Sequence, residues 1–71
     1  MSEALKRMAS EYRANAKLLL GRINELKAEL ARTSRNTGDW TRLRGRIVAL
    51  ESIYAENIGT AAYLENYHGR G

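Results

Sequence analysis

The sequence contains no cysteine and no proline, and its 71 residues include one tryptophan and one histidine. Without cysteine the chain has neither a disulfide framework nor a thiolate metal site, which argues against a small secreted protein and favours the cytoplasm. No stretch is apolar for long enough to cross a membrane, and the N-terminus lacks the pattern of a signal peptide, so no membrane partner is expected. The absence of proline, together with abundant Ala, Leu, Arg and Glu, predicts an all-α protein.

In two long segments, mostly apolar residues recur at alternating steps of three and four, which is the heptad spacing of coiled-coil helices. We call the residues of this repeat the seam. The first segment begins after Ser2, a predicted N-cap, and carries the seam Leu5, Ala9, Tyr12, Ala16, Leu19, Ile23, Leu26 and Leu30. The second carries Trp40, Leu43, Ile47, Leu50, Tyr54, Asn57, Ala61, Leu64 and His68. Asn57 either fixes the register from within the seam or turns toward solvent at its edge. The pattern predicts two helices that pack along one stripe each.

A cluster of turn-forming residues, Ser34-Arg35-Asn36-Thr37-Gly38-Asp39, separates the two segments. Asn36 or Gly38 can adopt the left-handed backbone of a helix exit, and Thr37 or Asp39 can cap the second helix. We therefore predict one antiparallel helical-hairpin domain over residues 1–71, with a helix at about 3–33, a turn at about 34–39 and a helix at about 40–67. The glycines near the C-terminus should end the second helix after Tyr67.

A two-helix hairpin hides only one stripe of each helix, and this sequence carries further apolar and small residues outside that stripe. Glycine within a helix costs about 0.5–1 kcal/mol relative to alanine, which the close approach of another helix would offset. The alternative is that these residues are a tolerated surface. We predict a homodimer that forms a four-helix bundle, although a different protein partner would fit the same surface. The predicted interface consists of Leu18, Gly21, Ala28, Gly45, Val48, Ser52, Ala55, Gly59 and Ala62.

The formal net charge of +4 is concentrated around the turn. Residues 27–46 hold six basic side chains against two acidic ones, whereas residues 47–71 are net acidic. A basic end is either a solvated loop or a surface that meets phosphate, and Trp40 is either an apolar plug or a platform on which a base stacks. Nucleic-acid binding is therefore the alternative function. Its predicted contacts are Arg32, Arg35, Trp40, Arg42 and Arg46.

No pattern of residues that would support catalysis is visible. The single histidine lacks serine and carboxylate companions, and the isolated glycines do not form a phosphate-binding loop. Glu65 and His68 have the Glu-x-x-His spacing of di-iron bundles, but no acidic residue occupies a seam position to complete such a site. We therefore predict a protein that is not an enzyme and that uses no cofactor and no metal.

The segment RLRGRIVALESIY at 42–54, together with AYLENY at 62–67, resembles small uncharacterised helical proteins of bacterial genomes and mobile elements. The resemblance covers the second helix only, and that group brings no assigned activity. In shape, a dimerising hairpin is also similar to the Rop family of plasmid RNA-binding proteins, without matching residues. We expect a bacterial interaction or scaffold module of unknown cellular role, with a small nucleic-acid-associated regulator as the alternative.

Overall fold

The computed structural model describes the backbone of residues 2–70 and the side chains of residues 2–67. Over that range the chain forms two α-helices, α1 (Glu3–Ala31) and α2 (Gly38–Arg70), and no strand. The helices pack antiparallel against each other, and the hairpin measures 52 × 14 × 12 Å. The predicted all-α hairpin is confirmed.

Local hydrogen bonds at its two ends set the limits of α1. The Ser2 hydroxyl accepts a hydrogen bond from the backbone N–H of Leu5 at 3.4 Å, which confirms the predicted N-cap. At the other end, the N–H groups of Arg32 and Thr33 donate to carbonyls three residues back, each at 3.0 Å. Because this tighter pattern replaces the α-helical one, α1 ends at Ala31, two residues before the predicted end.

The chain reverses at Asn36, whose φ of 67° lies in the left-handed region. Asparagine tolerates this backbone better than most residues, so Asn36 makes the exit and Gly38 instead begins α2. Thr37 caps α2, because its hydroxyl accepts a hydrogen bond from the N–H of Trp40 at 3.1 Å. Asp39, the other predicted cap, lies in the first turn of the helix. These contacts start α2 two residues before the predicted start.

α2 continues to Arg70, so the predicted end after Tyr67 is wrong. Glycine disfavours a helix by about 1 kcal/mol because of its backbone freedom, and this cost alone does not break the hydrogen-bonded backbone. The side chain of His68, the last residue of the predicted seam, lies outside the described residues.

The core lies between the helices and has its largest side chains near the turn. Three large apolar side chains are buried there: Ile23, Leu26 and Ile47. Half-buried side chains pack around them, namely Leu30, Leu43, Leu50 and Tyr54. Toward the open end the buried residues are the alanines Ala9, Ala16 and Ala61. The hairpin therefore has a substantial core in its turn half and a thin one toward its open end.

Two ion pairs join the helices and report their register. Arg13 of α1 meets Glu65 of α2 at 2.7 Å, and Lys27 meets Glu51 at 3.1 Å. All four residues directly follow a seam residue in the sequence, so both pairs lie on one broad surface, which we call the salt-bridged face. On each helix the two positions are two heptads apart, so the helices keep one register along this length.

Truncation of Leu26 tests the assigned core. We expect Leu26→Ala to lower the free energy of unfolding by about 2–5 kcal/mol, because it opens a cavity among buried aliphatic side chains. Val48→Ala is the matched control, since Val48 is exposed and alanine is the better helix former; we expect a change within about 0.5 kcal/mol. Urea unfolding followed by circular dichroism measures both values, and equal losses would contradict this core.

Candidate functional site

The hairpin has two broad faces and two narrow outer edges, and the predicted interface residues are spread over several of these surfaces. The outer edge of α1 carries Gly21 and Ala28. The outer edge of α2, which points the opposite way, carries Gly45, Ser52 and Gly59. The side of α2 next to the salt-bridged face carries Val48, Ala55 and Ala62. Toward the opposite broad face lies Leu18. The structure therefore does not bring the predicted interface together on one surface.

Large apolar side chains are instead grouped on the broad face opposite the two interhelical ion pairs, which we call the apolar face. The ion pairs within one helix, Arg22 with Glu25 and Arg42 with Asp39, lie on this face too. Of the seven large apolar side chains that the described residues leave exposed, five lie there: Met8, Leu18, Ile53, Tyr63 and Tyr67. The remaining two, Leu20 and Val48, lie toward the salt-bridged face. The two faces of one hairpin thus differ in chemistry.

The apolar face contains two clusters. Leu18 and Ile53 line an open groove of about 420 Å³ near the middle of the hairpin. Tyr63 and Tyr67 lie one helical turn apart, with ring centroids separated by 6.3 Å. Ala9 and Leu64 line one groove, so Met8, which precedes Ala9, lies at the level of Tyr63. The second cluster is closer to the open end of the hairpin than the first.

Of the five residues on the apolar face, only Leu18 belongs to the predicted interface. A signal for the others was present in the sequence, because each of the five directly precedes a seam residue. In an antiparallel hairpin the residues before the seam on both helices share one face, and the residues after it share the other. The glycines of the predicted interface lie instead at outward positions, away from this face.

Asn57 lines the groove on the apolar face together with Leu18 and Ile53. It is half-buried, and its side-chain amide donates a hydrogen bond to the backbone carbonyl of Ile53 at 2.9 Å. This position lies between the two predicted alternatives, since Asn57 is neither enclosed in the core nor fully turned toward solvent. The bond to the preceding turn of its own helix satisfies part of its polar group.

At the turn end, two arginines lie over the ring of Trp40. The guanidinium carbons of Arg35 and Arg44 are 5.8 and 5.6 Å from the ring centroid, within the range of a cation–π interaction. Trp40 is half-buried at the end of the seam. Arg44 was not among the predicted contacts, although it follows Trp40 by four residues, the spacing at which helical side chains meet.

The other predicted arginines do not join this group. Arg42 pairs with Asp39 at 3.0 Å. Arg46 lines a separate groove with Glu29 on the apolar side of the turn end. Arg32 is exposed just after α1. Of the predicted contacts, Arg35 and Trp40 therefore lie together, and Arg44 joins them. Arg42 and Arg46 lie on the side of the apolar face.

Comparison of the chain with protein-family models, curated proteins and solved structures finds no match. The resemblance of the second helix to small bacterial helical proteins therefore stays a prediction. Within the described residues, neither helix has the length and apolar character needed to span a membrane. The same part of the chain holds no group of three or more potential metal ligands. Any function must be argued from the hairpin's own surfaces.

On the salt-bridged face, the ion pair of Arg13 with Glu65 is held by two short hydrogen bonds. Two hydrogen bonds, from Nε at 2.8 Å and from Nη2 at 2.7 Å, engage both carboxylate oxygens. These hydrogen bonds lower the pKa of Glu65 and raise the pKa of Arg13, while loss of hydration opposes both shifts. Because the pair is exposed, we assign it chiefly to helix register.

The outer-edge glycines provide the first test of these surfaces. A Cβ atom at Gly45 or Gly59 would meet no atom within 4 Å, so alanine fits the hairpin without a clash. We expect each Gly→Ala substitution to raise the free energy of unfolding by about 0.5–1 kcal/mol, measured by thermal unfolding. If this edge packed closely against another helix, the added methyl groups would instead weaken association in sedimentation measurements.

The pair of Arg13 and Glu65 predicts a pH effect. Because folding lowers the pKa of Glu65, the pair stabilises the hairpin above the unfolded value of about 4.3, and this contribution is lost as the pH falls through the folded pKa. We expect Arg13→Gln to reduce the acid dependence of stability below about pH 5. Lys17→Gln, which removes an equal charge from α1, should leave that dependence unchanged. Equal slopes for the two variants in urea unfolding would argue against the pair.

Proposed function

We propose that this protein is a non-enzymatic interaction module that works as a homodimer, in which two hairpins pack through their apolar faces into a four-helix bundle. The observation that carries the proposal is the grouping of five exposed large apolar side chains on one broad face. Exposed apolar patches are typical of protein–protein contact sites; here they form two clusters, with Asn15 and Arg22 also lining the groove beside Leu18 and Ile53. This face shares Leu18 with the predicted interface.

The exposed area of the hairpin supports a partner of similar size. The 8.0 kDa chain exposes 5303 Å², whereas folded monomers of this mass expose about 4,450 Å². The excess of about 850 Å² is close to the area of about 800 Å² that each partner buries in a standard interface. A second copy covering one broad face would remove an area of that size from water.

The charge distribution favours an antiparallel dimer. Residues 27–46 carry a net charge of +4 at the turn end, while the rest of the chain is close to neutral. A parallel dimer would place two such ends side by side, whereas an antiparallel dimer separates them. The described apolar face is also confined to the half away from this basic end.

The two apolar clusters support the same arrangement. One cluster consists of Leu18 and Ile53, and the other of Met8, Tyr63 and Tyr67. On each helix the two clusters are about ten residues apart, or about 15 Å along the helix axis. A twofold axis between them would place each cluster of one copy against the other cluster of the second copy. This exchange of unlike patches is how a twofold interface is completed.

A charge placed on either face tests the proposal. We expect the unmodified chain to sediment at twice its mass of 8.0 kDa, and Leu18→Glu to weaken association at least about 100-fold because a carboxylate would be buried against apolar groups. Val48→Glu is the matched control on the salt-bridged face and should leave the dimer intact. The two side chains are 74% and 57% exposed, so neither change should unfold the hairpin.

Two sedimentation results would contradict the dimer. One is a helical monomer for the unmodified chain at concentrations of about 100 µM, well above the dissociation constants of specific dimers. The other is equal weakening by Leu18→Glu and Val48→Glu, which would mean that the apolar face is not the contact surface.

The relative orientation of the two hairpins in the dimer can be measured by spin labelling. The chain lacks cysteine, so Ser34→Cys gives one spin-label site at the turn end of each copy. We expect electron–electron distances of roughly 60 Å in the antiparallel dimer, because each turn lies about 20 residues from the twofold axis. Distances of about 20 Å would indicate parallel hairpins and overturn the antiparallel arrangement.

A further inference from the structure

We propose that the turn end of the hairpin is a binding site for single-stranded nucleic acid, formed by Trp40 with Arg35 and Arg44 over its ring. The site goes beyond the proposed dimerisation and lies apart from the apolar face. Three features carry it: an open groove beside an aromatic ring, two arginines that no acidic group neutralises, and the concentration of positive charge at this end.

The groove beside Trp40 combines apolar and cationic groups. It has a volume of about 290 Å³ and is lined on its apolar side by Leu30, Ala31 and Trp40. Lys27 and Arg35 line it as well, and Thr33 contributes a hydroxyl-bearing side chain. Arg44 reaches the same tryptophan from α2. A ligand with a flat apolar part and a negative charge matches this combination.

The arginines at Trp40 keep their donors for a ligand. Among the residues whose side chains are described, no carboxylate oxygen lies within 4 Å of a nitrogen of Arg35 or Arg44, whereas Arg42 is paired with Asp39. Contact with the tryptophan ring restricts both guanidinium groups before any ligand binds, which lowers the entropy lost on binding. The planar donor fork of arginine fits two phosphate oxygens.

The aromatic ring favours a single strand over other polyanions. Unpaired bases stack on tryptophan or on guanidinium planes, and each stacked base contributes about 1–3 kcal/mol. The bases of a duplex are already stacked and paired, so their faces cannot enter a groove of this kind. An anionic membrane surface would also accept a tryptophan ring at its interface. However, none of the exposed large apolar side chains of the described residues lies within residues 27–46, so this end has little to insert into a membrane beside the half-buried Trp40.

Trp40 itself is the probe for the test. It is the only tryptophan, so its fluorescence reports on this site alone. We expect titration of the full chain with oligo(dT) or oligo(U) to change that fluorescence saturably, with an affinity that falls as salt rises. Arg35→Gln and Arg44→Gln should each weaken binding about tenfold, the loss typical of one charge-assisted phosphate contact.

Arg46→Gln is the matched control. It removes an equal charge from the same helix, two residues from Arg44 but on the other face, and should change affinity less than about twofold if the site is local. Equal weakening by Arg44→Gln and Arg46→Gln would show that only net charge matters and would overturn the site. The absence of any fluorescence change at low salt would do the same.

Two further experiments distinguish nucleic-acid binding at the turn from membrane binding and from dimerisation. Vesicles containing phosphatidylserine should not reproduce the response; if they bind with the same dependence on Arg35 and Arg44, the ligand is a membrane surface and the nucleic-acid proposal is overturned. Leu18→Glu should retain the Trp40 response as a monomer, because the substitution lies far from the turn. Failure of the dimer and failure of the nucleic-acid site are therefore distinguishable.

Discussion

Two antiparallel helices meet along a single seam, and every buried apolar residue of the described chain belongs to it. Among the described residues, the large side chains that the seam buries are Ile23, Leu26 and Ile47. Such a core is small for a chain of 71 residues, and domains of this size are marginal without added support. The proposed dimer would therefore compensate for the geometry of the hairpin rather than for any one residue.

The two broad faces meet this constraint in different ways. On the salt-bridged face, Arg13 with Glu65 and Lys27 with Glu51 satisfy opposite charges across the helices, so that surface is compatible with water. On the apolar face, Leu18 and Ile53 line an open groove near the middle of the hairpin. An antiparallel dimer through the apolar face would leave the arginines at Trp40 exposed at both ends. Self-association and phosphate binding are therefore compatible within one small protein.

Much of the fold follows from local pattern, and much of the candidate site does not. The heptad seam predicted the two helices of the hairpin, and Ser2 is the predicted cap, because both depend on neighbours within a few residues. The choices between Asn36 and Gly38 at the exit, and between Thr37 and Asp39 at the cap, stayed open because either member of each pair suits the position. The predicted interface relied on outward glycines and so found only Leu18 on the apolar face.

By itself the sequence determined that two helices pack through one stripe each and reverse between residues 34 and 39, because helical periodicity and turn propensity act over short stretches of chain. Tertiary structure alone decided which broad face is cross-linked by charge, since that depends on the meeting of Arg13 and Glu65, which are 52 positions apart. The contact of Arg44 with Trp40, in contrast, follows from a spacing of four residues on one helix. Arg35, which precedes α2, reaches the same ring only because the chain reverses at Asn36, so that contact was decided by the tertiary structure.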